Sequence, residues 1–390
     1  MKRSLLSPLA VIMVAGVILA GCGKGVAPSP TPVQQPAATT VAKPPTGADW
    51  EERWNTTLAA AKKEGSVMIY TDWPSDLRLG LGKAFSARYG IALEFATFGT
   101  SSELTVKAEA ERRAGLKLVD VLGQGAGASA TQFVPKGLVA PMRPILMLPE
   151  VLDPNAWLVG KLPFVDAQDY HIAMIASPFR TVCYNTTLVK KGELTTYLDL
   201  LKPQYKGKIA WNDPSATGNL SIAFLMDSLW GEAKTKDFVT RLLKEQGAVI
   251  SREKRIPIEE TAKGKYSIVF GPSMTTIPAF IEAQAPLDFA DVAEDVRLSS
   301  GGGGMDIAIE PAHPNAAAIF VNWMLTKEGQ SVFVKGFGMP SGRLDASMEG
   351  VSPLLLRVPG KKYLPESGAF YENQGPLLEK IGAIIQEASK

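Results

Sequence analysis

Residues 66–97, SVMIYTDWPSDLRLGLGKAFSARYGIALEFAT, decide the fold. Ser66–Thr71 is a short apolar run rich in β-formers, the mark of a buried strand. Leu77, Leu81, Phe85 and Tyr89 then recur every fourth residue, giving the apolar face of a helix that Gly90 stops, and Ile91–Thr97 (IALEFAT) is a second strand. The same rhythm extends in both directions. Upstream, Trp50, Trp54, Leu58 and Ala61 mark a helix that Thr46 or Asp49 can cap and Gly65 ends. Downstream, Ser102–Ala114 reads as a helix and Lys117–Leu122 (KLVDVL) as a third strand. The order αβαβαβ predicts an α/β fold with right-handed crossovers and a mainly parallel sheet flanked by helices.

Ligands of open α/β sheets bind beyond the carboxyl ends of the strands. That directs attention to three loops: Asp72-Trp73-Pro74-Ser75, the run from Phe98 to Ser102, and Gly123 to Ser129. Their hydroxyls and free helix N-terminal amides suit an anionic group, although each Ser, Thr or Asp is equally a helix cap. Convergence of three such loops on one edge is what gives them weight. Gly123, Gly125 and Ala128 match a dinucleotide-binding fingerprint, but on the third βα unit and with no acidic residue about 20 positions on to take a ribose. They read as a tight turn, and no cofactor is expected.

Catalytic chemistry is poorly supplied. The chain has two histidines, His171 and His313, and lacks H-E-x-x-H, a Cys cluster, G-x-S-x-G and a P-loop. His313, followed by Pro314 and Asn315, shapes the start of a helix; His171, among apolar residues, packs. The expectation is a protein that is not an enzyme and holds no resident metal. The formal charge of +2 includes Lys2 and Arg3, and no basic stripe with interleaved aromatics exists, so nucleic acid is not a partner.

The N-terminus is of a different character. Met1, Lys2 and Arg3 precede an apolar run from Leu5 to Ala20 that is shorter than the span of about 20 residues a bilayer requires, so residues 1–21 read as a secretory signal. Residues 23–48, with Pro28, Pro30, Pro32, Pro36, Pro44 and Pro45, hold nothing that builds a core and form a tether, extended at about 3.1 Å per residue. About 340 residues remain, more than one core usually holds, which predicts two lobes. Cys22 and Cys183 are the only cysteines, and with Cys22 at the end of the signal no intramolecular disulfide is expected.

Leu19-Ala20-Gly21-Cys22 resembles the lipobox of bacterial lipoproteins, which implies cleavage before Cys22 and a diacylglyceryl anchor on it. Each buried lipid methylene is worth about 0.8 kcal/mol, so the protein would sit durably on a membrane without crossing it, in the periplasm or on the outer face of the cytoplasmic membrane. The body resembles the extracellular solute-binding proteins of ABC importers, in the ferric-iron-binding-protein-like branch of the type II periplasmic binding fold. The resemblance covers residues 49–345 and is carried by WNTTLAAAKKEGSVMIY (Trp54–Tyr70), YLDLLKPQYKGKIAWNDPSATG (Tyr197–Gly218) and HPNAAAIFVNWMLTKEGQ (His313–Gln330).

It implies two α/β lobes hinged by crossing strands, residues 49–140 with about 295–335 and residues 141–294 with about 336–390, closing on a solute. The closed monomer would be read by a permease and its ATPase. Ser177–Asn185 (SPFRTVCYN) fits a crossing strand carrying Arg180, whose planar fork suits a carboxylate or phosphate. Asp213 and Pro214 end the strand KIAW, so Ser215, Thr217, Gly218 and Asn219 lie around a helix N-terminus. The adjacent tyrosines of the ferric-binding members are missing: GKYSIVFGPSMTTI (Gly264–Ile277) has Gly271, Pro272, Ser273 and Met274 there, and Tyr266 falls too early. Asp72 with Trp73, and Gln124, stand where a histidine and a carboxylate help bind iron in that family.

The expected solute is therefore organic or oxyanionic. Tyr70 and Trp73 would stack on it, Thr100, Ser101, Gln124, Ser215, Thr217 and Ser273 would hydrogen-bond it, and Arg180 would meet an acidic group. Ferric iron uptake, an enzyme and a sensor on the same scaffold are the alternatives. At the C-terminus Pro376–Ser389 reads as a helix, with Tyr363 and Tyr371 covering the second lobe.

Overall fold

The computed structural model describes residues 49–215, 219–274 and 276–390; the signal segment, Cys22, the tether, Thr217 and Gly218 lie outside the described residues. The first sheet contains β1 (Ser66–Thr71), β2 (Ala92–Thr97), β3 (Val121–Gly123), β4 (Val139–Ala140), β5 (Ile172–Ala173) and β13 (Gly304–Ala308), in the order β2-β1-β3-β13-β4 with β5 paired to β13. β1 runs parallel to β2 from Ser66 opposite Ala92 to Thr71 opposite Thr97, and parallel to β3. The helices Ser75–Tyr89 and Ser101–Arg113 make the expected crossovers. β3 is shorter than the KLVDVL pattern: Leu116 and Leu118 are exposed, while buried Asp120 turns inward and accepts from the Met68 amide at 2.7 Å.

The second sheet contains β7 (Val182–Asn185), β8 (Ile209–Asn212), β9 (Val249–Ser251), β10 (Ile268–Phe270) and β11 (Leu287–Phe289), in the order β11-β7-β10-β8-β9. β6 (Ser177–Pro178), β12 (Arg297–Ser299) and β14 (Leu364–Pro365) form a small third sheet where the chain passes between the other two. Leu298 pairs antiparallel with Pro178 and Ser299 with Ser177, so two passages of the chain brace each other. The stretch 177–185 is thus two strands in different sheets, not one. It breaks at Thr181, whose amide donates to Asp295 Oδ2 at 2.9 Å instead of to a strand partner.

Each large sheet has its own core. Phe85 meets Phe320 and Trp323 at ring-centroid distances of 5.5 and 5.2 Å against the first sheet. The helix Pro314–Met324 that supplies those rings is buried over nearly its whole circumference, and each large side chain so placed contributes about 1.5–3 kcal/mol. Within it, Asn322 Oδ1 accepts from the Met147 and Leu148 amides at 2.7 and 3.3 Å, and Nδ2 donates to Ile145 O at 2.8 Å. This clasp, with Met142, Trp157 and Met174 in the same core, packs residues 142–175 against the first sheet, on the other side of the lobe boundary expected after residue 140. A helix facing apolar groups on all sides needs that covering layer, and nothing local to 142–175 says where it will dock. The second core is built around Trp211, Phe224, Phe238 and Phe270, with the C-terminal helix Gln374–Ala388 packed on it.

Candidate functional site

A cleft of about 980 Å³ opens between the carboxyl ends of the strands of the two large sheets, with β6 and β12 on its floor. On the first wall, Gln124 follows β3, its amide tied to Gly304 O at 3.1 Å. Gln124 is 3% exposed and lines the cleft; its Nε2, the group that acts on the Asp72 carboxyl, is buried and lies within hydrogen-bond distance of no acceptor among the described residues. Gly125 lies against Gly301, where a Cβ would stand 2.5 Å from the Gly301 carbonyl, so only glycine permits this approach. Ser101 also lines the wall, held by Gln132 Nε2 at 3.4 Å.

Other residues expected at this edge are used by the fold. Trp73 is 2% exposed, edge-on to Phe333 at 5.6 Å, with Nε1 donating to Gly302 O at 3.3 Å. Tyr70 is buried and donates to both Glu111 carboxylate oxygens at 2.9 and 3.0 Å; burial and this carboxylate push its phenol well up. Thr100 caps its helix by accepting from the Glu103 amide at 3.2 Å. Asp72 stays on the exposed side of the loop, its carboxyl raised by partial burial against the opposing pull of its own amide and the Gln124 side chain. Tyr70, Asp72, Trp73 and Thr100 do not line the cleft.

On the second wall, β8 ends at Asn212, 6% exposed, whose Nδ2 donates to Glu253 O at 3.2 Å while Oδ1 has no partner among the described residues. Asp213 accepts from the Ser215 amide at 2.9 Å and from its hydroxyl, and faces Arg252 at 3.4 Å. Ser215 is occupied by that turn and does not line the cleft. Asn219 Nδ2 donates to Asn212 O at 3.0 Å, and at Gly271, with φ +63°, a Cβ would fall 2.5 Å from that nitrogen. Ser273 lines the same wall, its Oγ accepting from Thr276 Oγ1 at 2.9 Å. Lys254, exposed at this mouth, has no ion-pair partner among the described residues.

The floor holds what sequence reasoning missed. Arg297, 4% exposed on β12, pairs through Nη1 with Glu366 at 3.0 Å and lies 4.0 Å over the Phe179 ring, while Nε has no partner among the described residues. Glu366 also accepts from the Ser300 amide at 3.2 Å and from the Tyr371 hydroxyl, which meets Ser300 Oγ at 2.9 Å. Burial and the adjacent carboxylate push the Tyr371 phenol well up, so it stays protonated. Arg180, the arginine expected here, instead caps Phe289 O at 3.2 Å and stacks on that ring at 5.0 Å, outside the cleft. The antiparallel partner strand supplies the cleft arginine. The only available sequence signal was a charged residue between Val296 and Leu298 in an otherwise strand-like run.

The histidines lie elsewhere. His171 Nδ1 meets Asp306 Oδ2 at 2.9 Å beneath β13, and Ser129 Oγ meets the other carboxylate oxygen at 2.6 Å. The hydroxyl therefore touches the acid, not the imidazole. His313 precedes its helix, with Nδ1 on Asp120 at 2.9 Å.

Two sheets with separate cores, joined by crossing strands around a cleft, define a two-lobe α/β binding protein. The chain belongs to the bacterial extracellular solute-binding protein family, matched over residues 80–352. An uncharacterized protein of Haemophilus influenzae is 24% identical over 281 residues, 70% of this chain and 76% of that one. Iron-bound HitA from Pseudomonas aeruginosa shares the fold with a TM-score of 0.61 at 17% identity, over 82% of this chain and 99% of that one. The Trichodesmium protein IdiA (FutA), solved with iron and citrate, gives 0.65 at 16% identity over 82% and 99%. AfuA from Actinobacillus pleuropneumoniae, solved with fructose-6-phosphate, gives 0.56 at 21% identity over 83% and 97%. The fold is thus the type II periplasmic binding fold of ABC-importer solute receptors. Among the described residues no helix is long and apolar enough to cross a membrane.

Proposed function

We propose that this chain captures a small organic or oxyanionic solute between its two lobes and delivers it to an ABC permease driven by its ATPase, as a monomer held to the membrane by lipid on Cys22. The observation that carries this reading is the cleft itself, which is large enough for an organic molecule and has Arg297 on its floor and Arg252 and Lys254 on its second wall. Lobe closure about the paired β6 and β12 would bring Gln124 and Ser101 toward Asn212 and Ser273. Residues 23–48 would act as the tether between lipid and body.

Relatives of this fold were solved with iron and with a sugar phosphate, and the donors lining this cleft suit the second chemistry better. Ferric iron favours several hard anionic oxygens. Here the phenol of Tyr371 is committed to Glu366, the Glu366 carboxylate to Arg297, and the Gly271–Met274 turn has no tyrosine. The test is a thermal-shift screen of the purified full chain against sugar phosphates, hydroxy-acids, orthophosphate and ferric citrate. A cleft ligand at 100 times its Kd adds about 2.7 kcal/mol of stability, readily seen as a raised Tm. A response to ferric iron alone, with a visible charge-transfer band, would overturn the reading.

A further inference from the structure

We infer that the cleft selects a solute carrying an anionic group and a hydroxyl together, a hydroxylated organic anion; this deepens the proposed function and rests on it. Four side-chain atoms of cleft-lining residues are buried without a hydrogen-bond partner among the described residues: Gln124 Nε2, Arg297 Nε, Asn212 Oδ1 and Glu366 Oε1. Folded proteins leave few such atoms, because an unmade buried hydrogen bond forfeits the group's hydration. Their polarity is mixed. Two are donors and two are acceptors; Glu366 Oε1 is held in the ion pair with Arg297 Nη1 at 3.0 Å, which leaves Asn212 Oδ1, its orientation set by the Asn212 Nδ2 bond to Glu253 O at 3.2 Å.

A fully ionised anion such as sulfate, or a plain carboxylate, offers only acceptors. It satisfies Arg297 and Gln124 and leaves Asn212 Oδ1 facing further negative oxygen. A neutral polyol can satisfy Asn212 but gives nothing to Lys254, which has no ion-pair partner among the described residues. The charge on Arg297 is already balanced by Glu366, so Arg297 acts here as a directed donor and Lys254 as the source of attraction. One ligand answers all four groups only if it holds an anionic head for the donors and an O–H for Asn212. The cleft volume of about 980 Å³ leaves room for such a molecule.

The experiment is isothermal titration calorimetry of the full chain with three matched pairs: glucose 6-phosphate and hexyl phosphate, gluconate and hexanoate, tartrate and succinate. The pairs separate phosphate from carboxylate heads. In at least one pair the hydroxylated member should bind at least about tenfold more tightly, since a site built around a hydroxyl rejects the analogue that lacks it. Asn212→Ala should bring that ratio close to one without weakening the deoxy member. Gln124→Leu should weaken both members by a similar factor, which keeps the inference testable if the first variant folds poorly. Equal binding within every pair, or a ratio that survives Asn212→Ala, overturns this inference alone. Binding of none of the six overturns the inference, and a response to ferric iron that citrate alone does not give, with a visible charge-transfer band, overturns the proposed function as well.

Discussion

Asp120 and Asn212 are both buried polar side chains at the margins of strands, yet their surroundings differ. Asp120 accepts from the Met68 amide at 2.7 Å, the His313 amide at 2.6 Å and His313 Nδ1 at 2.9 Å, so both carboxylate oxygens are occupied by the chain itself. Asn212 anchors one end of its amide and leaves the other unpaired beside a cleft. A polar cluster that closes on itself holds a fold together. One that stays open is completed by something from outside, and the same contrast separates Trp73, sealed against Phe333, from Arg297, open at Nε.

The largest expected effect lies on the closed side. Asp120→Ala leaves two amides and an imidazole without their acceptor and should lower stability by about 3–5 kcal/mol in urea denaturation. Solute affinity of the protein that remains folded should not move; a selective loss of affinity would break the distinction.

Asp295 sharpens the comparison, because it is closed yet poorly placed for a charge. It accepts from the Thr181 amide at 2.9 Å and from Tyr197 at 2.9 Å, yet full burial pushes its carboxyl up to about 6 from an ordinary 3.8. An acid whose folded value is raised holds its proton longer in the folded state. Its contribution to stability is therefore present below the ordinary value and lost as pH rises through about 6, a change of about 3 kcal/mol. Urea titrations from about pH 3 to 7 should show the wild type losing that amount relative to Asp295→Asn. A constant difference between the two would mean that Asp295 ionises like an exposed carboxyl.

The smallest effect concerns Thr100. As a helix cap its replacement by alanine should cost about 1 kcal/mol in thermal or urea unfolding and leave solute affinity unchanged. A fall in affinity without a fall in stability would return Thr100 to the ligand, as its position after a strand first suggested.

The alternation of helix and strand from Asp49 to Gly123 was legible because it is written in local spacing: an apolar residue every fourth position, a glycine stop, a short apolar run. The resemblance in the Tyr197–Gly218 and His313–Gln330 segments pointed to the same fold that residues 80–352 share with their family. Of the expected ligand residues, Ser101, Gln124 and Ser273 stand on the cleft walls. Tyr70 and Trp73 do not, because aromatic rings at the end of a strand are drawn into whichever apolar layer covers it.

What the sequence alone determined was the rhythm of elements and hence the α/β class, since periodicity and turn residues act over a few positions. Only the tertiary structure decided that β13 would slip between β3 and β4, and that Arg297 and not Arg180 would reach the cleft floor to meet Glu366 and Tyr371 from far along the chain. The physical reason is that such partners are chosen by burial and hydrogen-bond satisfaction among segments remote in sequence. No local pattern records which of two arginines will find a ring and a carbonyl on β11, and which an acid at the cleft.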